Sequence, residues 1–286
     1  MISDITLGQF FPGYSPIHKL DPRTKIILSL LFIVAVFVAN NPASFLLVTV
    51  VSLILVGISR IGYRVIFKGI KPIIFILIFT ALINVFVTQG EGTPLLQFWI
   101  IEIYEEGIVR AVFMALRVMV LIIGTSVLLT YTTSPIALTD GIESLLSPLK
   151  KIKVPVHTFA MMMSIALRFI PTLLEETEKI MNAQKSRGAD FTSGGLVKRA
   201  KALIPLLVPL FVSSFKRAEE LATAMECRCY RGDKNRTKLV KLEMRGMDFA
   251  ALSLGLLFVG AIICGAILPY NFTGFGEIYD IIFYKI

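Results

Sequence analysis

The chain has 286 residues, of which 55% are hydrophobic and 17% are charged. A soluble globular domain is about 45–50% apolar and about 25% charged, so this composition indicates a membrane protein. The formal net charge is +9, but the basic segments flank apolar runs and lack the interleaved aromatic residues of single-strand nucleic-acid binders. A zinc site needs about four clustered ligands, and the three cysteines and two histidines do not form such a cluster in the sequence.

Five apolar runs are long enough, or nearly so, to cross a bilayer, which needs about 20 apolar residues. The first run follows a polar lead and ends in Asn40-Asn41-Pro42, so it reads as a span and not as a cleaved signal peptide. Arg23 and Lys25 flank it, and their long side chains are expected to snorkel towards the membrane surface. The predicted spans cover residues 25–39, 43–59, 70–88, 108–131 and 247–268.

Basic and non-basic loops alternate along the chain. The lead, the loop after the second span and the long segment 132–246 are rich in Lys and Arg, whereas the intervening turns and the tail are not. Lys and Arg concentrate on the cytoplasmic side of a membrane, so we expect the N-terminus inside and the C-terminus outside the cell membrane. The predicted domains are an N-terminal transmembrane domain (1–131), a cytoplasmic domain (132–246), and a last span with an external tail (247–286).

The segment 132–246 contains two further apolar runs, 154–174 and 202–215. If both crossed the bilayer, the basic residues between them would lie outside. We therefore interpret them as parts of long helices that lie under the membrane or dip into it, with apolar faces that need a cover. Three helices are predicted, over about 135–149, 155–187 and 195–229. Pro205 and Pro209 each remove an internal hydrogen bond, which predicts a bend or simply shapes the packing.

Two of these helices are predicted to end in an arginine at a tight corner. Each arginine either completes the helix dipole, a contribution of about 0.3–1 kcal/mol, or docks on a partner through its planar guanidinium group. The dipole accounts for any single terminal arginine but does not explain why two long amphipathic helices share the same ending, so both interpretations stay open on spacing alone. The corners are Ser186-Arg187-Gly188 and Cys227-Arg228-Cys229.

A series of short motifs, in this order and spacing, resembles the transmembrane T component of energy-coupling factor transporters, which are bacterial and archaeal importers driven by ATP-binding-cassette subunits. The family carries two x-Arg-Gly triplets. The first is matched in full at 186–188, and in the second Cys229 replaces glycine while Arg231 offers a competing arginine. The motifs are His18-Lys19-Leu20-Asp21-Pro22-Arg23-Thr24-Lys25, Tyr104-Glu105-Glu106-Gly107, Leu167-Arg168-Phe169-Ile170-Pro171-Thr172, Ala183-Gln184-Lys185-Ser186-Arg187-Gly188, Pro205-Leu206-Leu207-Val208-Pro209-Leu210 and Ala224-Met225-Glu226-Cys227-Arg228.

The resemblance implies an all-α membrane protein with about five transmembrane helices and about three coupling helices inserted before the last span. It implies two ATPase partners, one for each arginine corner, and an interchangeable membrane-embedded S component that binds the substrate, a vitamin or another micronutrient. The chain itself is expected to be a non-catalytic scaffold that binds no cofactor. It lacks the P-loop motif, so ATP and Mg²⁺ would be used by the partner ATPases.

A methionine-rich surface is expected to face the S component, because methionine repacks readily against varied partners, although ordinary core packing remains the better explanation of any single methionine. The residues assigned to this surface are Met161, Met162, Met163, Pro205 and Pro209.

Other functions were weighed against the scaffold. A stand-alone secondary transporter is the main alternative, but the two halves show no matching repeats. An intramembrane metalloenzyme built on Glu175-Glu176 lacks further ligands. Arg117 lies near the middle of the fourth span, where it indicates either a transport pathway or, more simply, a structural hydrogen bond, with Asn84 as one candidate contact.

Overall fold

The computed structural model describes residues 10–87, 96–98, 101–189, 191, 195–230, 232 and 242–267. Backbone packing divides them into two units. One, called here the bundle unit, holds the described residues up to 141 and from 242 onward. The other, called the helix-pair unit, holds the described residues between 142 and 232.

Apart from the lead and the turns between elements, the described chain is helical except for one short antiparallel strand pair, in which Leu96 pairs with Ile103 and Phe98 with Ile101. In chain order the elements are α1 (Pro22–Val38), α2 (Pro42–Ser59), α3 (Tyr63–Val87), β1 (Leu96–Phe98), β2 (Ile101–Ile103), α4 (Glu105–Thr125) with a π-helical turn (Ser126–Thr130), α5 (Pro135–Leu145) with a 3-10 turn (Ser147–Ile152), α6 (Val156–Ser186), α7 (Leu196–Cys227) and α8 (Gly246–Ile267). The all-α fold class is confirmed.

Each predicted span falls on a helix, and the largest shift is in α3, which begins at Tyr63 instead of residue 70. The reason is tertiary packing. Ile66 and Ile70 are buried in a cluster with Val56 of α2, so the helix extends beyond the purely apolar run. The prediction missed this because it followed hydropathy alone.

Five of the described helices are long and apolar enough to cross a membrane: α2, α3, α4 with its π-helical turn, α6 and α8. The chain is therefore a multi-pass membrane protein. This set differs from the predicted one. At 17 residues α1 is shorter than the others, so it is not in this set. Helix α6 was expected to lie under the membrane or dip into it, yet it is long enough and its most apolar stretch is apolar enough to cross. That stretch is less apolar than those of the other four helices.

Helices α1 and α8 run parallel in the bundle unit. At one end the carboxylate of Asp248 accepts a hydrogen bond from the Asp21 amide (2.8 Å), and at the other the Asn41 side chain donates to the Gly265 carbonyl (3.4 Å). Gly255 allows close approach between them, because a Cβ at that position would collide with the side chain of Leu28. Small residues at helix contacts are the usual means of tight packing in membranes.

The lead to α1 is bound tightly to the bundle. Lys25 is only 2% exposed, and its ammonium group donates to the carbonyls of Thr132 (2.9 Å) and His18 (3.3 Å). The expectation that Lys25 snorkels to the surface is therefore wrong, because backbone carbonyls satisfy its charge inside the protein. The side chain of His18 in turn contacts Ser15 (2.7 Å) and the Phe11 carbonyl (3.0 Å).

Helices α6 and α7 pack against each other in the helix-pair unit. The predicted boundaries of these two helices agree with the structure to within two residues, whereas the first predicted helix is divided into α5 and the 3-10 turn. A hydrogen bond of 2.9 Å joins His157 of α6 to Glu143 of α5, which is buried. This contact links the two ends of the connection between α5 and α6.

Candidate functional site

Helices α6 and α7 end in the same hydrogen-bonded motif. In α6 the amide of Gly188 donates to the Lys185 carbonyl (2.9 Å) and that of Ala189 to Gln184 (3.0 Å). In α7 the amides of Cys229 and Tyr230 make the equivalent bonds to Glu226 (2.9 Å) and Met225 (3.1 Å). This pair of bonds defines a Schellman motif.

The motif places one residue after each arginine in the left-handed region. Gly188 has φ +84°, which glycine adopts without cost. Cys229 has φ +57°, a conformation that its Cβ disfavours. The second corner thus has the same backbone conformation as the first although its sequence lacks the glycine. Cys229 is therefore held in a strained conformation.

Arg187 and Arg228 occupy the same position in the two corners. Their backbone angles are φ −88°, ψ 8° and φ −91°, ψ 15°, and both are exposed. Since the surrounding backbone is also the same, the two Cα–Cβ bonds leave their helices in the same direction relative to the helix axis. The competing Arg231 lies outside the described residues.

The two corners lie at opposite ends of an antiparallel helix pair. Tyr230, just after α7, donates its hydroxyl to the sulfur of Met161 near the start of α6 (3.1 Å). Further along, Glu176 of α6 contacts Ser213 and Arg217, nearer the start of α7. Residue numbers therefore increase along α6 in the direction in which they decrease along α7. From Met161 to Arg187, α6 spans about 40 Å at 1.5 Å per residue, which is the approximate separation of the corners.

A single carboxylate joins the two helices near their middle. Glu176 accepts a hydrogen bond from the hydroxyl of Ser213 (2.5 Å) and pairs with Nη2 of Arg217 (2.5 Å). The side chains of Glu176 and Arg217 are 20% and 32% exposed, so the pair is partly shielded from water. The sequence reasoning noted Glu176 only as a weak metal ligand. The signal for its actual contact was a basic pair, Lys216-Arg217, on the next helix.

An apolar stripe runs along the exposed side of α7. Ile204, Val208, Phe211 and Phe215 are each at least 55% exposed, and their spacing of three and four residues places them on one face of the helix. Pro205 and Pro209 are also exposed and lie within the same continuous helix. A run of large apolar side chains of this kind marks an interaction surface or a membrane contact.

The predicted methionine surface is only partly free. Met162 and Met163 are 49% and 56% exposed on α6, near Phe159, which is 60% exposed. Met161 is half-buried and accepts the hydrogen bond from Tyr230, so it stabilises the second corner.

Arg117 makes a structural hydrogen bond. Its Nη2 donates to the Ala39 carbonyl at the C-terminal end of α1 (2.8 Å), as the simpler interpretation expected. The amide of Asn84 donates to Thr80 in its own helix (2.9 Å). Within the described residues, the three cysteines are unpaired, and no group of three or more His, Cys, Asp or Glu residues could hold a metal ion.

Comparisons with known proteins agree with this architecture. The family profile described as CbiQ, cobalt transport protein, matches residues 13–239. An energy-coupling factor transporter transmembrane protein EcfT from Clostridium kluyveri is 54% identical over 259 residues, which cover 91% of this chain and 96% of the relative. The protein of the same name from Bacillus subtilis is 49% identical over 263 residues, covering 92% and 98%.

A third relative with that name, from Heliobacterium modesticaldum, is 53% identical over 250 residues, covering 87% of this chain and 93% of its own length. Identity at this level over almost the whole chain extends well beyond the short motifs. The chain belongs to the CbiQ and EcfT family, the transmembrane components of energy-coupling factor transporters.

Proposed function

We propose that the chain is the scaffold that transmits ATP-driven motion from two ATPase subunits to a substrate-binding S component, for uptake of a vitamin or another micronutrient. The observation that carries this proposal is the pair of matching arginine corners at opposite ends of α6 and α7. A helix dipole would explain one terminal arginine. It does not explain why the same corner occurs twice, the second time with a strained Cys229.

Each corner has the features of a docking point. A guanidinium group binds carboxylates and carbonyls with fixed, often bidentate geometry, and a rigid Schellman corner limits the directions that Arg187 or Arg228 samples. A separation of about 40 Å is too large for one small site, which supports docking of the two corners on different partner subunits. ATP and Mg²⁺ are used by those subunits, and this chain binds no cofactor.

The central contact provides the coupling between the corners. Because Glu176 joins α6 to Ser213 and Arg217 of α7, movement of one docked corner shifts the other helix as well. The apolar stripe of α7, with Pro205 and Pro209, and the exposed Met162 and Met163 of α6 form the surface for the S component. An apolar surface that can repack suits interchangeable partners.

The proposal requires a specific orientation. Residues 132–246 lie on the cytoplasmic side of the cell membrane, where soluble ATPases reach Arg187 and Arg228. The N-terminus lies inside and the C-terminus outside, as the distribution of Lys and Arg favours. Helix α6 then lies along or dips into the membrane without crossing it, which fits its lower hydropathy.

Charge reversal at the corners tests the proposal. Arg187→Glu or Arg228→Glu alone removes a charge-assisted contact of about 1.5–3 kcal/mol, which weakens ATPase binding about 10- to 150-fold. The double variant is expected to insert normally, to lose ATPase co-purification and to lose ATP-driven uptake. The matched control is Lys179→Glu with Lys216→Glu, since both lysines are exposed on the same two helices. Unchanged ATPase assembly of the arginine double variant, or uptake by the chain without partners, would contradict the scaffold function.

A further inference from the structure

We infer that the bundle unit carries a specific binding site for one anionic phospholipid. The site is a cavity of about 690 Å³ between α1, α2 and α8, lined almost entirely by apolar side chains. This volume lies within the range of about 300–1,000 Å³ of pockets that enclose small ligands. Because α2 and α8 are long and apolar enough to cross a membrane, membrane lipids have access to the cavity.

The cavity is long enough to hold an acyl chain from one leaflet. On α8 its lining extends from Met247 to Ala261, about 21 Å of helix at 1.5 Å per residue. Half of a hydrocarbon core of about 30 Å is about 15 Å, so the cavity reaches from one membrane surface to beyond the midplane. A chain from one leaflet fits this depth, with its headgroup at the end near Met247.

Three exposed basic residues adjoin lining residues at that end of the cavity. Lys19, Arg60 and Arg245 are all exposed, and each lies within two residues of a lining residue, namely Leu20, Ile58 and Met247 respectively. These lining residues share one end because Asp248 holds the start of α8 against the start of α1, and α2 returns from the turn at 40–42 to that end.

At this end Asp21 and Asp248 are turned into the protein, whereas the basic groups face outward. Asp248 is 2% exposed and accepts hydrogen bonds from the amides of Asp21 and Arg245, and Asp21 is 7% exposed and caps α1 through the Arg23 amide. Glu243 is the exposed acidic residue among the described residues 242–248. The surplus of basic groups selects an anionic over a zwitterionic headgroup.

Only the choice of leaflet rests on the proposed orientation. With the N-terminus inside, the lipid belongs to the cytoplasmic leaflet. The test is native mass spectrometry of the full-length chain and its complex, titrated with phosphatidylglycerol or with phosphatidylcholine of the same palmitoyl and oleoyl chains. One phosphatidylglycerol is expected to bind roughly 100-fold more tightly than phosphatidylcholine, because each of the three basic residues contributes about fivefold. This measurement needs neither ATPase docking nor transport, so its failure and that of the scaffold function are distinguishable.

Two sets of variants separate the headgroup from the acyl chain. Lys19→Gln with Arg60→Gln and Arg245→Gln is expected to abolish the preference, whereas Arg64→Gln with Lys68→Gln, which are exposed on α3, is expected to keep it. Ala251→Trp fills the cavity and should weaken retention of both lipids about tenfold or more, equivalent to displacing roughly two methylenes. Ser253→Trp, on the opposite face of α8, should leave retention unchanged.

Equal retention of the two lipids by the unmodified chain would overturn the inference, and so would unchanged retention in Ala251→Trp. Retention that begins only after deletion of residues 1–9 or 270–286 would overturn it too, since the ends of the chain would then fill the cavity. If Ala251→Trp fails to insert, the triple glutamine variant decides, because its three positions are exposed.

Discussion

Removing the contact between Glu176 and Arg217 is the most direct test of how α6 and α7 act together. Glu176→Gln removes the negative charge but keeps an oxygen that can accept the hydrogen bond from Ser213. An exposed ion pair contributes about 0.2–1 kcal/mol, and a hydrogen bond to a charged group about 1.5–3 kcal/mol. With exposures of 20% and 32%, this pair lies between those cases, and we expect a loss of about 1.5 kcal/mol.

The expected loss corresponds to a fall in the apparent Tm of about 3–6 °C for a chain of this size, measured by thermal unfolding in detergent. Arg217→Gln is expected to give a similar fall, and the double variant no more than about 2 °C beyond either single variant. The control is Glu175→Gln, because Glu175 is adjacent and exposed and should change Tm by about 1 °C or less.

The functional consequence separates coupling from docking. Both single variants are expected to retain both ATPases on purification but to show less uptake for each ATP hydrolysed. The reasoning would be refuted if the destabilisations of the two single variants simply add in the double variant, since the groups would then not interact. Full uptake in Glu176→Gln would show that the helices transmit motion without this contact.

Two further predictions concern strained or buried backbone. Cys229→Gly is expected to stabilise the chain by about 1 kcal/mol, or about 2–4 °C in Tm, because glycine readily adopts the left-handed conformation that Cys229 occupies. Gly188→Ala should lower Tm by a similar amount. Tm changes of the opposite sign would show that Cys229 is not strained. Asp248→Ala is expected to cost about 2–5 kcal/mol, since it leaves the amides of Asp21 and Arg245 unpaired, with Asp248→Asn recovering part of the loss and Glu243→Ala as the exposed control. Thermal unfolding measures both, and an Asp248→Ala protein as stable as the control variant would show that water replaces the carboxylate.

Much of the fold was predictable from local patterns. Apolar runs locate α1, α2, α4 and α8 to within a few residues, because a bilayer requires long uninterrupted apolar helices. Gly188 marked the end of α6, since glycine is the residue that most readily adopts the left-handed conformation after a helix.

The candidate site was predicted only in part. Arg187 and Arg228 stay predicted docking residues, and the structure adds that their corners share one backbone geometry. Nothing local to Tyr230 or Met161 indicates that they meet, because they are far apart in sequence. The contact of Met161 with Tyr230 was not foreseen for that reason, since the exposure of a helix face depends on what packs against it.

The sequence by itself determined that this is a multi-pass helical membrane protein with two arginine-ended helices, because hydropathy, charge and helix termination depend on residues within one or two turns. Only the tertiary structure decided that Lys25 is buried, that Glu176 joins α6 to α7, and that the arginines lie at opposite ends of an antiparallel pair. These features depend on contacts between residues far apart in the chain, and a buried charge is stable only where folding brings a partner to it.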